Sequence, residues 1–176
     1  MGWVFTISVL AVGRSTYSRN LDLCLTSRAL GASSITFIGN KDSRILHYVE
    51  NLNKKWGGRF KVQFVKNYKD ALKSASKYAK VYLTRYGMPL QDKSYVLKTY
   101  KNMVLIVTLR DRDGINPIHK IADFNISVSS QPHCSAAAIA IFLHEFYNGR
   151  ELAMHFENAQ FKLVPHEHDV EIKKAK

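Results

Sequence analysis

Acidic residues are scarce in this chain. Asp and Glu number 14 against 26 Lys and Arg, a formal charge of +12 spread along the sequence and not gathered in a tail. That excess fits a polyanionic partner, nucleic acid or an anionic membrane surface, or else a solvated surface whose charge only maintains solubility. Cysteine is nearly absent. Cys24 and Cys134 have no CxxC-type partner, and a reduced, cytoplasmic compartment is the simple inference. No run is long and apolar enough to span a bilayer. Residues 3–12 are apolar but short, with no basic start or small-residue cleavage site, so they read as a first buried strand. Repeats and low-complexity segments are missing too. A length of 176 residues suffices for one domain with a sizeable core. Residues 1–176 are read as that single domain, with 165–176 as a basic tail.

Several chemistries fall with their missing motifs. No GxxxxGK[ST] or GxGxxG follows a strand, which removes nucleoside triphosphate and NAD binding. No GxSxG elbow is present, and Cys24 reads as a core thiol and not an activated nucleophile. The histidines are scattered, and His166-Glu167-His168 lacks the helical HExxH spacing, so no metal is expected.

What is present is organised around residues 124–149. Phe124, Ile126 and Val128 alternate with polar residues as a strand does. A polar elbow follows (Ser129, Ser130, Gln131, Pro132, His133), then a helix that is apolar from Ala136 to Leu143 and stops at Asn148-Gly149. Cys134 or Ser135 stands at the helix start. Unsatisfied N–H groups there make the elbow a natural place to hold a ligand, with a merely tight turn as the alternative. A helix apolar all round must be covered on all sides, by its own domain and by a second subunit.

The remaining chain alternates strand and helix patterns. Strands are expected over 5–12, 34–38, 60–65, 81–84 and 104–107. Helices are expected after Ser18 or Asn20, after Asp42, after Asn67, over 94–100 and over 117–122. This pattern predicts an α/β fold with a mostly parallel sheet. Ligands gather beyond the carboxyl ends of such strands, so loops 84–88, 108–114 and 129–135 become candidates together. Lys66, Lys69, Lys73 and Lys77 mark an outer helix face suited to phosphate.

The run Ser130-Gln131-Pro132-His133-Cys134-Ser135, followed by its Ala-rich helix, resembles the third motif of the archaeal tRNA (cytidine-56) 2′-O-methyltransferases of the SPOUT superfamily. Thr26 to Ala32, Trp56-Gly57-Gly58, Leu83-Thr84-Arg85-Tyr86-Gly87 and Phe161 to Pro165 agree in the same order. The resemblance covers nearly the whole chain. It implies a trefoil-knotted α/β fold with helices on both sheet faces, a homodimer, S-adenosyl-L-methionine (AdoMet) as methyl donor, and transfer to a ribose 2′-OH in the tRNA T-loop.

Carried over by position, the resemblance places the cofactor against Leu83, Tyr86 and Gly87, against Thr108, Leu109, Arg110, Asp111 and Arg112, and against Val128, Ser129, Ser130, Gln131, Pro132, His133, Cys134 and Ser135. Backbone groups would make most of these contacts. Arg19, with Arg14 in reserve, would position the substrate hydroxyl or its phosphate. Two departures stand out. The first loop is shortened to residues 13–19, and the second motif has Thr108-Leu109-Arg110 where the family has Gly-Ala-Glu. A knotted RNA-binding protein without catalysis, or a related enzyme with another RNA target, are the alternatives.

Overall fold

The computed structural model describes residues 5–109 and 117–175. In chain order the main elements are β1 (Thr6–Val12), α1 (Tyr17–Ala29), β2 (Ser34–Ile38), α2 (Ser43–Trp56), β3 (Lys61–Val65), α3 (Tyr68–Ser74), β4 (Ala79–Pro89), α4 (Leu90–Leu97), β5 (Asn102–Thr108), α5 (Ile118–Ile121), β6 (Phe124–Ser127), α6 (Ser135–Tyr147), β7 (Phe161–Val164) and β8 (Glu171–Lys174). The first six strands form one sheet in the order β3-β2-β1-β5-β4-β6, every pairing parallel. The α/β architecture expected from the alternation is therefore present.

Strand periodicity sorts the core into two layers. Ile7, Val9 and Ala11 of β1, with Met103, Leu105 and Val107 of β5, face a layer that includes Leu23 and Cys24 of α1 and Phe142 of α6. Leu10, Val104 and Ile106 face the other way, onto Leu72 of α3 and Ile118 of α5. β5 is apolar toward both layers, as a central strand buried on both faces must be.

Several elements differ from the sequence expectation. α1 is capped by Thr16, whose Oγ1 accepts from the Arg19 N–H at 3.4 Å, and not by Ser18 or Asn20. Its inward face is consequently Leu23, Cys24 and Ser27, while Ala29 is exposed. α4 begins at Leu90, directly after Pro89, well before the expected residue 94. β4 does not end at Thr84. Ile126 of β6 pairs with both Leu83 and Met88, so residues 84–87 bulge out and the strand resumes beyond them. Within the expected basic tail, residues 171–174 form a strand that pairs antiparallel with β7, Leu163 opposite Ile172. This strand alternates too weakly among its lysines to be read in advance.

Buried Arg28 fastens the C-terminal segment to α2. Its guanidinium donates to Gly57 C=O at 2.6 Å and to Asn53 Oδ1 at 3.1 Å, and lies 4.7 Å from the centre of the Phe156 ring. Gly57 has φ of 78°, and a Cβ there would stand 2.6 Å from Glu157 O, so only glycine fits. α6 buries Ala138, Ile139, Phe142, Leu143, Phe146 and Tyr147. Ile141, however, is 43% exposed, so within this chain the helix is not covered all round.

Candidate active site

Where β4 bulges and β5 reaches its carboxyl end lies a cleft of about 650 Å³, closed by the first turns of α1 and the start of α6. Its walls combine Leu23, Leu83, Val107, Leu109, Ala136 and Ala138 with the polar Arg19, Asp22, Thr84, Arg85, Thr108, His133 and Ser135. A concavity of this size that pairs apolar walls with convergent polar groups is suited to a small molecule that carries both apolar and charged parts.

The elements explain how each group arrives. Directly after β5, Leu109 is buried, its N–H donating to Val12 C=O at 2.9 Å and extending the β1–β5 ladder by one bond. The Leu109 carbonyl accepts from Arg19 Nη1 at 3.4 Å, which holds this arginine against the cleft. Ser135 Oγ donates to Thr108 C=O at 3.1 Å and joins the start of α6 to the end of β5.

The elbow is braced by its own hydrogen bonds. Ser127 Oγ donates to Ser129 C=O at 2.7 Å, Ser129 Oγ accepts from Gln131 N–H at 3.1 Å, and His133 Nδ1 donates to Gln131 C=O at 2.8 Å. A carbonyl can only accept, so Nδ1 carries the ring proton and Nε2 is left as the acceptor of the neutral imidazole. Cys134 is the N-cap of α6, its Sγ accepting from Ala137 N–H at 3.4 Å. Exposed Cys134 contrasts with Cys24, where burial pushes the thiol up to about 12 and leaves it an inert core group.

Of the residues expected at the site, Arg19, Leu83, Thr108, Leu109, His133, Cys134 and Ser135 line this cleft. Val128, Ser129, Ser130, Gln131 and Pro132 do not; they form the self-bonded turn that presents His133. Tyr86 is 53% exposed beside the cleft, with the Arg85 guanidinium 5.0 Å from its ring centre. Gly87 lies in the bulge of β4, where a Cβ would meet the backbone carbonyl carbon of Asn125 at 2.5 Å. Its role is close backbone approach, which lets the bulge lie flat on β6. Arg14 faces a different cleft, at the ends of β1 and β2. Arg110, Asp111 and Arg112 lie outside the described residues.

Sequence reasoning missed Asp22, Leu23 and Tyr82, whereas Arg85 falls within the expected loop 84–88. Asp22 and Leu23 follow Arg19 at i+3 and i+4, the same helix face, and that spacing was the available signal. Tyr82 enters through its hydroxyl, 3.2 Å from Thr108 Oγ1. Among the described residues no group of three or more His, Cys, Asp or Glu could hold a metal ion, and no helix is long and apolar enough to cross a membrane.

A sheet of this order with strand-end loops around such a cleft is the fold seen in solved methyltransferases of the SpoU type. The SpoU methyltransferase AviRb from Streptomyces viridochromogenes, solved in complex with the cofactor AdoMet, aligns with a TM-score of 0.60 at 16% identity over 85% of this chain. The alignment spans 59% of that longer chain. Closer in sequence is a tRNA (cytidine(56)-2'-O)-methyltransferase from Methanopyrus kandleri, 35% identical over 149 residues, covering 82% of each chain. Another, from Methanobrevibacter smithii, is 34% identical over 160 residues, covering 89% of this chain and 87% of that one. Residues 56–173 match the family described as tRNA ribose 2'-O-methyltransferase, aTrm56, and the chain belongs to that family.

Proposed function

We propose that the chain transfers a methyl group from AdoMet to the ribose 2′-OH of cytidine 56 in tRNA, and that the cleft between α1, the ends of β4 and β5, and the elbow is where it does so. The observation that carries this reading is the meeting of Arg19 and the 133–135 elbow in one cleft, in a chain of this family.

The donor set suits AdoMet. Leu83, Val107, Leu109 and Ala136 offer apolar walls for an adenine ring, backbone groups at the strand ends offer hydrogen bonds, and Asp22 offers a negative charge to a cationic methyl donor. When bound, AdoMet supplies an electrophilic methyl group on a sulfonium. The protein's task is then to exclude water and align the ribose oxygen. Arg19 spends one N–H on Leu109 C=O, and the rest of its donor fork is available to hold a phosphate or the substrate hydroxyl. His133 Nε2 and the Asp22 carboxylate are the cleft's candidates to accept the hydroxyl proton.

Residues 1–176 act in this reading as one cytoplasmic methyltransferase domain. Its trefoil knot would be tied by the segment running from β6 through the elbow into α6, which returns to pack on α1. A second copy of the chain covers the exposed Ile141 side of α6, giving a homodimer.

Labelled AdoMet and an unmodified archaeal tRNA transcript test the reading. Label mapped to cytidine 56 is the expected result. Label at another ribose would change the target, and tight tRNA binding without transfer would make the protein a non-catalytic RNA binder.

A further inference from the structure

The outer face of α2 carries a second set of chemistry that the cleft does not use. Arg44, Tyr48, Asn51 and Lys55 recur at i, i+4, i+7 and i+11, which places them on one side of the helix. They line, with Tyr17 and Trp56, a shallow groove of about 530 Å³. At roughly 1.5 Å per residue the stripe is about 16 Å long, the reach of two or three nucleotides. Its cations sit on rings: the Arg44 guanidinium is 4.6 Å from the centre of the Tyr17 ring, and Lys55 Nζ is 5.3 Å from that of Trp56. Tyr48 is 40% exposed. The nearby carboxylate, Asp42, is engaged by Arg44 at 2.8 Å.

Rings interleaved with cations in an open groove are the elements that bind unpaired nucleic acid, phosphates on the charges and bases on the π-faces. Beside the lysines of α3, by contrast, the Tyr68 ring packs against the core. The groove also leads toward the methyl-transfer cleft. Tyr17 and Arg44 line both it and the neighbouring cleft at the ends of β1 and β2, where Arg14 stands and where Ser15 Oγ and Asn20 Oδ1 are buried without a hydrogen-bond partner. Asn20 adjoins Arg19, so the first turns of α1 have this surface on one side and the reaction cleft on the other.

We propose that the α2 face from Arg44 to Lys55 docks an unpaired segment of the substrate RNA, phosphates on Arg44 and Lys55 and a base stacked on Tyr48 or Trp56. The inference rests on the tRNA methyltransferase reading above and names the surface through which that substrate is held.

Full-length wild type, Tyr48→Ala, Tyr48→Phe and Arg44→Ala are titrated with an unmodified tRNA transcript across a salt series. AdoMet affinity and oligomeric state are measured alongside. Tyr48→Ala is expected to weaken tRNA binding about tenfold while Tyr48→Phe restores it. Arg44→Ala is expected to reduce the slope of log K against log salt by about one. AdoMet affinity stays at the wild-type value in all variants. If wild type methylates the transcript and both alanine variants bind it with unchanged affinity and slope, the docking inference is overturned and the activity stands. If Tyr48→Ala instead dissociates the oligomer, the face belongs to a second copy and the inference is also overturned. A wild-type protein that neither binds nor methylates tRNA sinks the methyltransferase reading and this inference with it.

Discussion

Arg19 and Arg14 sit five positions apart in one basic stretch, yet they serve different clefts. The difference comes from where α1 begins: capping by Thr16 turns Arg19 toward Leu109 and leaves Arg14 in the preceding loop. Arg19→Ala is expected to lower the single-turnover methylation rate by about 100-fold, the usual scale for losing a positioned charge-stabilising donor, while AdoMet binding survives. Quench-flow with saturating AdoMet reads the rate, and an unchanged rate would remove Arg19 from the reaction. Arg44 makes a second residue-scale prediction. Its side-chain hydrogen bond holds the carboxyl of Asp42, the N-cap of α2, below the usual carboxylate range. A carboxyl depressed on folding adds stability that is present above its unfolded value, about pH 3.9, and is lost as pH falls through the folded value. An NMR titration should place the Asp42 midpoint below that value and move it upward in Arg44→Ala.

At the scale of elements, the sharpest constraint is Gly87. The bulge in β4 brings its backbone against Asn125 and Ile126 so closely that a Cβ would overlap at 2.5 Å. Gly87→Ala should therefore cost about 1–3 kcal/mol, as overpacking does, and should disturb the β4 edge of the cleft. Chemical denaturation and AdoMet titration measure the two effects; a variant as stable as wild type would contradict the packing. Strand alternation, the Asp42 and Asn67 caps and the polar elbow before an apolar helix were legible in the sequence because each rests on local chemistry. The continuation of β4 past Thr84 was not, since Arg85 to Pro89 carries turn residues and the pairing that restores the strand comes from β6, far along the chain. Thr16 was passed over for Ser18 or Asn20 because all are acceptable caps, and only tertiary packing selects among them. AdoMet, the reaction and the tRNA target came from motif resemblance; composition and periodicity carried only a polyanionic partner and a strand-end site.

For the whole molecule, the exposed side of α6 separates the single chain from its proposed assembly. Ile141 stands beside His144 on that side, and His144 Nδ1 is 2.7 Å from the buried Glu151 carboxylate. Ile141→Glu would introduce a charge into the proposed seam. The expected outcome is a monomer by light scattering with an intact far-UV spectrum and reduced methyl transfer; a dimer of wild-type affinity would place the seam elsewhere.

The order of the strands in the sheet has a temporal meaning as well. β1, β2 and β3 are made first and form one half of the sheet, whereas the cleft joins α1 from that half to β4, β5 and the elbow after β6 from the later one. The half that carries α2 and its cation-and-ring stripe thus leaves the ribosome before the reaction cleft is complete. A cleft that needs the elbow and the start of α6 is closed only when the last quarter of the chain has been made.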